Sequence, residues 1–202
     1  LAFDDGRRIA VRVGNQNPLT AADHAILECS PSVADCDKAE LVPLVPPAAS
    51  DPAVVQDQRE LRLAPDGEHV GISQVRRDAA GNQDLVAVVA RLERTDTRYE
   101  LVDPRVVSER GELKSFTPDG TRVLVAQFTP GPYEVANPDV ISIDLETGER
   151  RRVTYAPDYD EPVEYSPDGR WYVVGSGRGS GPVRDGVAGA AAIAGGHRAG
   201  PS

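Results

Sequence analysis

The sequence contains no methionine, only two cysteines and three histidines, and few aromatic residues. Its 22 lysines and arginines are outnumbered by 32 aspartates and glutamates, so the formal net charge is −10. A basic surface is the usual electrostatic footprint of a nucleic-acid-binding protein, and this composition therefore argues against nucleic acid as a partner. Neither an apolar run of about eighteen residues nor a signal-peptide pattern after Leu1 is present, so no membrane span is predicted in this chain.

The motifs of several common site types are missing as well. No Gly-x-Ser-x-Gly nucleophile elbow occurs in the sequence. The glycine-rich segment 175–196 matches neither the phosphate-loop nor the dinucleotide-binding pattern. Two cysteines without further cysteine or well-placed histidine ligands do not make a zinc site. We therefore predict no catalytic residue, no cofactor and no metal ligand.

What the sequence does contain is a repeated phrase, in which two strand-like segments flank a Pro-Asp-Gly turn. It occurs at residues 61–70, 114–123 and 163–172, and a degenerate copy at 2–9 has Asp4 in place of proline. The Asp-Gly steps begin at residues 5, 66, 119 and 168, which are 61, 53 and 49 residues apart. Repeats of about fifty residues that are built on β-hairpins are typical of propeller blades.

The turn residues have a conformational reason to recur. Proline presets φ at the first turn position, aspartate suits the second, and glycine accepts the left-handed conformation that closes the hairpin. We interpret these residues as structural rather than functional. They are Asp5, Gly6, Pro65, Asp66, Gly67, Pro118, Asp119, Gly120, Pro167, Asp168 and Gly169.

Two complete units of four strands are predicted, at about 59–102 and 111–154. The runs 85–90 and 172–174 are apolar on successive residues, which indicates strands covered on both faces, as in radially stacked blades. The proline-rich segment Leu41–Gln58 is predicted to be a long connection between blades. No window shows capped helical periodicity over three turns, apart from the alanine-rich tail. The fold class predicted is all-β.

Two segments carry a family resemblance, 166–171 (Ser-Pro-Asp-Gly-Arg-Trp) and 144–150 (Asp-Leu-Glu-Thr-Gly-Glu-Arg). Both resemble the WD40-like repeats of TolB-type β-propellers, and the resemblance covers residues 1 to about 176. It implies a partial β-propeller of four-stranded antiparallel blades, two complete and two incomplete. Such blades occur in bacterial envelope proteins and in the propeller domains of prolyl-oligopeptidase-like enzymes.

The two incomplete blades lie at the ends of the sequence. The first lacks its innermost strand, and the last stops after its second strand, near Ser176. Because the sequence also has no methionine at its start, our hypothesis is that it is an internal piece of a longer propeller, whose remaining blades are missing. We divide it into a propeller fragment at 1–176 and a flexible tail rich in glycine and alanine at 177–202.

The cysteines bear on the compartment of the protein. Cys29 and Cys36 bracket the connection between the third and fourth strands of the first unit, within reach of a disulfide bond. The alternative is two unpaired thiols on adjacent strands. A disulfide would indicate a location outside the reducing cytosol, either periplasmic, secreted or at the cell surface.

One acidic group is a weak candidate for a site. Asp158, Asp160 and Glu161 precede the innermost strand of the fourth unit, and carboxylates can bind a hard cation or transfer protons. The alternative is an ordinary loop bounded by prolines. The three histidines, His24, His69 and His197, are interpreted as solvated or structural.

Three functional classes follow from these features. The favoured class is a non-catalytic extracytoplasmic propeller that presents loops to a protein, peptide or glycan partner. The alternative is the N-terminal propeller domain of a prolyl-oligopeptidase-like serine peptidase that lacks its hydrolase domain here. The third class is a propeller enzyme acting on saccharides or lactones through residues of its central channel.

Overall fold

The computed structural model describes residues 1–14, 23–46, 52–128, 138–155, 160–166 and 168–176, with only the backbone at residues 56–59, 128 and 162. Within these ranges all regular secondary structure is β-strand, which confirms the all-β prediction. The strands are β1 (Arg8–Val13), β2 (Asp23–Pro31), β3 (Cys36–Val45), β4 (Val54–Leu63), β5 (His69–Arg77), β6 (Gln83–Arg94), β7 (Tyr99–Ser108), β8 (Glu112–Phe116), β9 (Arg122–Phe128), β10 (Pro138–Asp144), β11 (Arg150–Arg152), β12 (Asp160–Tyr165) and β13 (Tyr172–Ser176).

The chain divides into two compact units, Leu1–Leu113 and Lys114–Ser202. The first unit contains one sheet with the strand order β1-β2-β3-β7-β6-β5-β4. Strands β4 to β7 follow one another as antiparallel neighbours and form a complete blade where one was predicted. Strands β1 to β3 form an incomplete blade, and Ala2 makes an isolated antiparallel bridge with Ile9 of β1.

The joining of these two blades at their outer strands was not predicted. Strand β3 runs on to Val45 and pairs in parallel with the start of β7, Leu44 opposite Tyr99 and Val45 opposite Glu100. The predicted connection Leu41–Gln58 is correspondingly wrong in length, because its first residues extend β3 and its last residues begin β4. The prolines in this segment do not prevent pairing at a strand end or edge.

The core of the first unit is shared by both blades. Ala10, Ile26 and Val42 lie opposite one another on β1, β2 and β3 and are all buried. They belong to the same hydrophobic cluster as side chains of β4 to β7, including Ile72 and Val88. Full burial of such a side chain contributes about 1.5–3 kcal/mol, so this cluster accounts for much of the cohesion between the blades.

The second unit repeats the pattern. Strands β8 to β11 form a four-stranded sheet in the order β11-β10-β9-β8, which confirms the second complete blade, and β12 and β13 form a two-stranded sheet. Leu124, Val140 and Val163 form the core between these sheets. The prediction that residues 172–174 are covered on both faces is wrong for Val173, which is 55% exposed. Its neighbours pack on the core, whereas Val173 lies on the opposite face of the sheet.

The four repeated turns share one geometry. In each, the glycine N–H donates to the carbonyl three residues earlier, at Phe3, Ala64, Thr117 and Ser166, over 2.8 to 3.3 Å. The glycines have φ between 65° and 70°, which a residue with a Cβ rarely adopts. Turns of neighbouring blades also lie close together, since Arg8 donates to the carbonyl of Gly67 at 3.2 Å.

No helix in the described ranges is long and apolar enough to cross a membrane.

Candidate functional site

An open groove of about 480 Å³ lies in the first unit, beside the hairpin formed by β2 and β3. This volume is within the range of about 300–1,000 Å³ that is usual for ligand pockets. We call it the hairpin groove. It is lined by Asp5, Arg7, Arg8, Glu28, Cys29, Ser30, Lys38, Glu40 and Tyr99.

A disulfide bond closes the hairpin that forms one side of the groove. Cys29 on β2 and Cys36 on β3 are bonded, and their Cα atoms are 5.2 Å apart. Strand β3 begins at Cys36, directly opposite Pro31 of β2. The bond therefore fixes the two strands where they would otherwise separate most easily, and it holds the adjoining groove residues Ser30 and Lys38 in register.

The floor of the groove is a hydrogen-bonded network around Glu28. Tyr99 at the start of β7 donates its hydroxyl to Glu28 over 2.5 Å, and Arg94 Nε lies 3.2 Å from the same carboxylate. Glu40 is the cross-strand partner of Glu28, so two like charges face each other. Arg94 also lies 3.7 Å from Glu40 and offsets this repulsion.

These contacts determine the protonation states of Glu28 and Tyr99. Partial burial alone would raise the pKa of Glu28, but hydrogen bonds from Tyr99 and Arg94 outweigh it and hold the pKa below its ordinary value. Burial and the Glu28 carboxylate together raise the pKa of Tyr99. At neutral pH the network therefore holds a charged carboxylate and a protonated phenol.

Arg8 forms the end of the groove next to the first turn. Its Nε lies 2.5 Å from Asp5, and its guanidinium stacks over the Phe3 ring at 4.1 Å. With the additional bond to Gly67, these contacts fix Arg8 in one position. The positive charge of Arg8 is consequently paired with a carboxylate of the protein itself.

Two other cationic side chains line the groove but are not held by such contacts in the described residues. Arg7 and Lys38 are exposed. Neither side chain forms an ion pair or hydrogen bond with another residue of the described ranges. The groove thus offers two solvated positive charges on a protein whose formal net charge is −10.

The predicted turn residues that the structure describes lie in the connections between strands. The carboxylates of Asp5, Asp66, Asp119 and Asp168 each accept a backbone N–H from a residue that follows the turn. Asp5 also lines the hairpin groove, whereas Pro167 lies outside the described residues.

Two of the three acidic candidates lie in a strand. Asp158 lies outside the described residues, and Asp160 and Glu161 are part of strand β12 rather than of the loop that was predicted to hold them. Glu161 forms an ion pair with Lys114. Among the residues described, no cluster of three or more His, Cys, Asp and Glu side chains is placed to hold a metal ion.

Two of the three histidines, His24 and His69, lie in the described residues. His69 shares a hydrogen bond of 2.6 Å with Asp66, and His24 lies near the start of β2. His197 lies outside the described residues.

Sequence reasoning missed the hairpin groove. The two cysteines alone would not have given the β2–β3 register, because Cys29 lies opposite Ala39 and the register shifts between Ser30 and Pro31, so the pairing of Glu28 with Glu40 could not be predicted from them. Nothing in the sequence linked these residues to Tyr99, which reaches them because β3 and β7 pair in parallel.

No protein-family model and no curated protein matches this chain. Among solved structures, it is similar to a protein assigned as TolB from Agrobacterium tumefaciens, with 18% identity and a TM-score of 0.47 over 85% of this chain and 55% of that one. TolB from Acinetobacter baumannii matches with 15% identity and a TM-score of 0.39, over 83% of this chain and 46% of that one.

The tricorn protease matches with 11% identity and a TM-score of 0.47, over 87% of this chain and 20% of that one. The chain spans about half the length of the two TolB structures. The solved structures with a similar arrangement of strands therefore include TolB propellers, and the similarity concerns the fold alone.

Proposed function

We propose that this chain is part of a non-catalytic, extracytoplasmic β-propeller that serves as a binding scaffold for a protein or peptide partner. The observation that carries the proposal is the hairpin groove, which is open to solvent and bordered by the Cys29–Cys36 disulfide. The bond supports an oxidising compartment, because cytosolic thiols are normally kept reduced.

The pKa shifts of Glu28 and Tyr99 in the groove support binding rather than acid-base catalysis. A general acid or base works best when its pKa is near the operating pH. In the hairpin groove the pKa of Glu28 is lowered and that of Tyr99 is raised, so both move away from neutrality. Fixed charges and hydrogen-bond donors of this kind suit the orientation of a partner.

The compartment is tested in cells that express the gene at its natural level. Free thiols are blocked at once with a maleimide that adds mass, and the protein is then detected in fractionated cells by immunoblotting. We expect an unshifted band in the periplasmic, secreted or surface fraction. A doubly shifted band in the cytosolic fraction would contradict the proposed location.

The scaffold role is tested by photo-crosslinking in the same cells. A photo-reactive amino acid at Ser30, inside the groove, is expected to give a discrete adduct with another protein. The same residue at Arg77, on the exposed end of β5, serves as the control and should give none. Equal labelling at both positions, or no adduct at Ser30, would overturn the scaffold role.

A further inference from the structure

The two solvated cations of the hairpin groove indicate the chemistry of its ligand. Arg7 and Lys38 line the groove without an ion-pair partner in the described ranges, whereas Arg8 and Arg94 are held by Asp5 and Glu28. Arg7 and Lys38 are therefore the cations of the groove that remain available to a ligand. We propose that the groove binds an acidic peptide segment, with Arg7 and Lys38 as its recognition cations, an inference that rests on the proposed scaffold function.

The spacing of the two cations favours two separate carboxylates. Arg7 accepts a hydrogen bond from Cys29 N on β2 through its carbonyl, at 2.8 Å, and Lys38 is the cross-strand partner of Ser30 on the same strand. Strand β2 therefore lies between the backbones of Arg7 and Lys38, which are two inter-strand spacings, or about 10 Å, apart. In an extended peptide this distance separates residues about three positions apart, at about 3.3 Å per residue.

The acidic residues of the groove select against a compact anion. Glu28 and Glu40 face each other across β2 and β3, two residues along these strands from the Ser30–Lys38 pair, and Arg94 offsets only part of their charge. A small anion in the middle of the groove would lie near these carboxylates. A peptide can instead place one carboxylate at each cation and keep both away from the floor.

The protein's net negative charge does not prevent this contact. At about 0.15 M ionic strength the Debye length is about 8 Å, so charges elsewhere on the protein are largely screened. Contact ion pairs at the groove are screened less. The expected complex is consequently of modest affinity and specific for its local charges.

The test uses the full 202-residue chain and fluorescence anisotropy at physiological salt. The probe is a fluorescein-labelled peptide, Gly-Glu-Ser-Gly-Glu-Gly, and its control is the same peptide with glutamine for each glutamate. We expect the acidic peptide to bind at least tenfold more tightly than the glutamine peptide. Equal binding of both peptides, or binding of neither, would overturn the inference.

A pair of variants assigns the binding to the groove. Arg7→Gln with Lys38→Gln is expected to weaken binding of the acidic peptide about tenfold, the size expected for loss of two partly solvated ion pairs. The control is Arg77→Gln with Arg105→Gln, which changes the net charge equally at exposed residues away from the groove, and should change binding less than twofold. Similar losses in both variants would show a bulk charge effect and refute the site.

Inorganic phosphate separates a peptide site from a small-anion site. Sodium phosphate and sodium chloride are compared as competitors at equal ionic strength, and we expect equal effects on peptide binding. Displacement by phosphate alone would refute the peptide assignment. If the photo-crosslinked adduct forms at Ser30 but the acidic peptide does not bind, the scaffold function stands and only this inference fails.

Discussion

The turn aspartates show how a single side chain defines a hairpin. Asp168 accepts hydrogen bonds from Ser166 Oγ at 2.6 Å, from Arg170 Nε at 2.7 Å and from Arg170 N at 3.1 Å. These donors stabilise the charged carboxylate, and they lower the pKa of Asp168 to about 2. Because the unfolded-state value is about 3.9, ionisation of Asp168 is linked to folding.

The sign of this linkage gives a pH prediction. A lowered folded-state pKa contributes stability that is fully present above about pH 4 and is lost as the pH falls through about 2. We expect the stability advantage of the wild type over Asp168→Asn to shrink over that window, as measured by urea unfolding. Carboxyl carbon NMR of Asp168 should give a midpoint near 2, and a midpoint near 4 would contradict the prediction.

The turn glycines allow backbone strain to be separated from crowding. Gly6 and Gly67 have nearly the same φ, 65° and 68°, so alanine at either position costs about 1–2 kcal/mol of backbone strain. A Cβ at Gly6 would meet nothing within 4 Å, whereas one at Gly67 would lie 3.2 Å from Arg8 Nη2. We expect Gly67→Ala to lower the free energy of unfolding more than Gly6→Ala does.

Urea unfolding of both alanine variants and of Gly67→Asn gives the comparison. Asparagine tolerates positive φ better than alanine, so Gly67→Asn reports mainly the contact with Arg8. Equal losses for Gly6→Ala and Gly67→Ala would show that Arg8 moves aside at no cost, against our expectation.

At the scale of elements, the β2–β3 hairpin depends on its disulfide. The bond joins residues seven positions apart, and closing a loop of about eight residues contributes about 2.5 kcal/mol in the chain-entropy estimate. We expect Cys29→Ser with Cys36→Ser to lower the free energy of unfolding by about that amount. Dithiothreitol should destabilise the wild type similarly and leave the variant unchanged. An effect of the reductant on the variant would contradict this cause.

The contact between strands β8 and β12 gives a second prediction at the scale of elements. Lys114 and Glu161 form an ion pair with side-chain exposures of 2% and 19%. Removing one partner of a buried pair costs about 3–5 kcal/mol, because a buried charge loses its compensation. Since Glu161 is partly exposed, we expect a loss near 3 kcal/mol for Glu161→Ala.

A double-mutant cycle isolates this pair. Lys114→Met combined with Glu161→Ala should be more stable than the sum of the single losses predicts, as measured by urea unfolding. The matched control is Arg151 with Glu149, a pair 3.0 Å apart with exposures of 67% and 51%, whose coupling should be below about 1 kcal/mol. Equal coupling in the two cycles would refute the role of burial.

The strands could be predicted from the sequence because the residues that specify each strand and turn are close together in the chain. Pro-Asp-Gly turns near Gly67 and Gly120 set the start of β5 and β9, and the apolar run 85–90 marked β6. The parallel pairing of Leu44 with Tyr99 depends on how two blades meet, and no local signal encodes that. The hairpin groove was missed for the same reason.

At the scale of the whole molecule, two electrostatic effects oppose each other. The net charge of −10 produces repulsion over the whole chain, which destabilises the compact state. Local ion pairs such as Arg98–Glu100 and Arg91–Asp103 stabilise it, but their side chains are about half exposed or more in most cases. Exposed pairs of this kind contribute about 1 kcal/mol or less each.

Salt screens both the net repulsion and the ion pairs. Whichever of the two is screened more determines whether the thermal unfolding midpoint rises or falls. Raising the ionic strength from about 0.01 M to 0.15 M shortens the Debye length from about 30 Å to 8 Å. The long-range repulsion falls more than the contact pairs do, so we expect the thermal unfolding midpoint to rise with sodium chloride at neutral pH. Measurements repeated near pH 4.8, the sequence pI, should show little rise because the net charge is then close to zero. A midpoint that falls with salt at neutral pH would mean that the ion pairs within the blades outweigh the net repulsion.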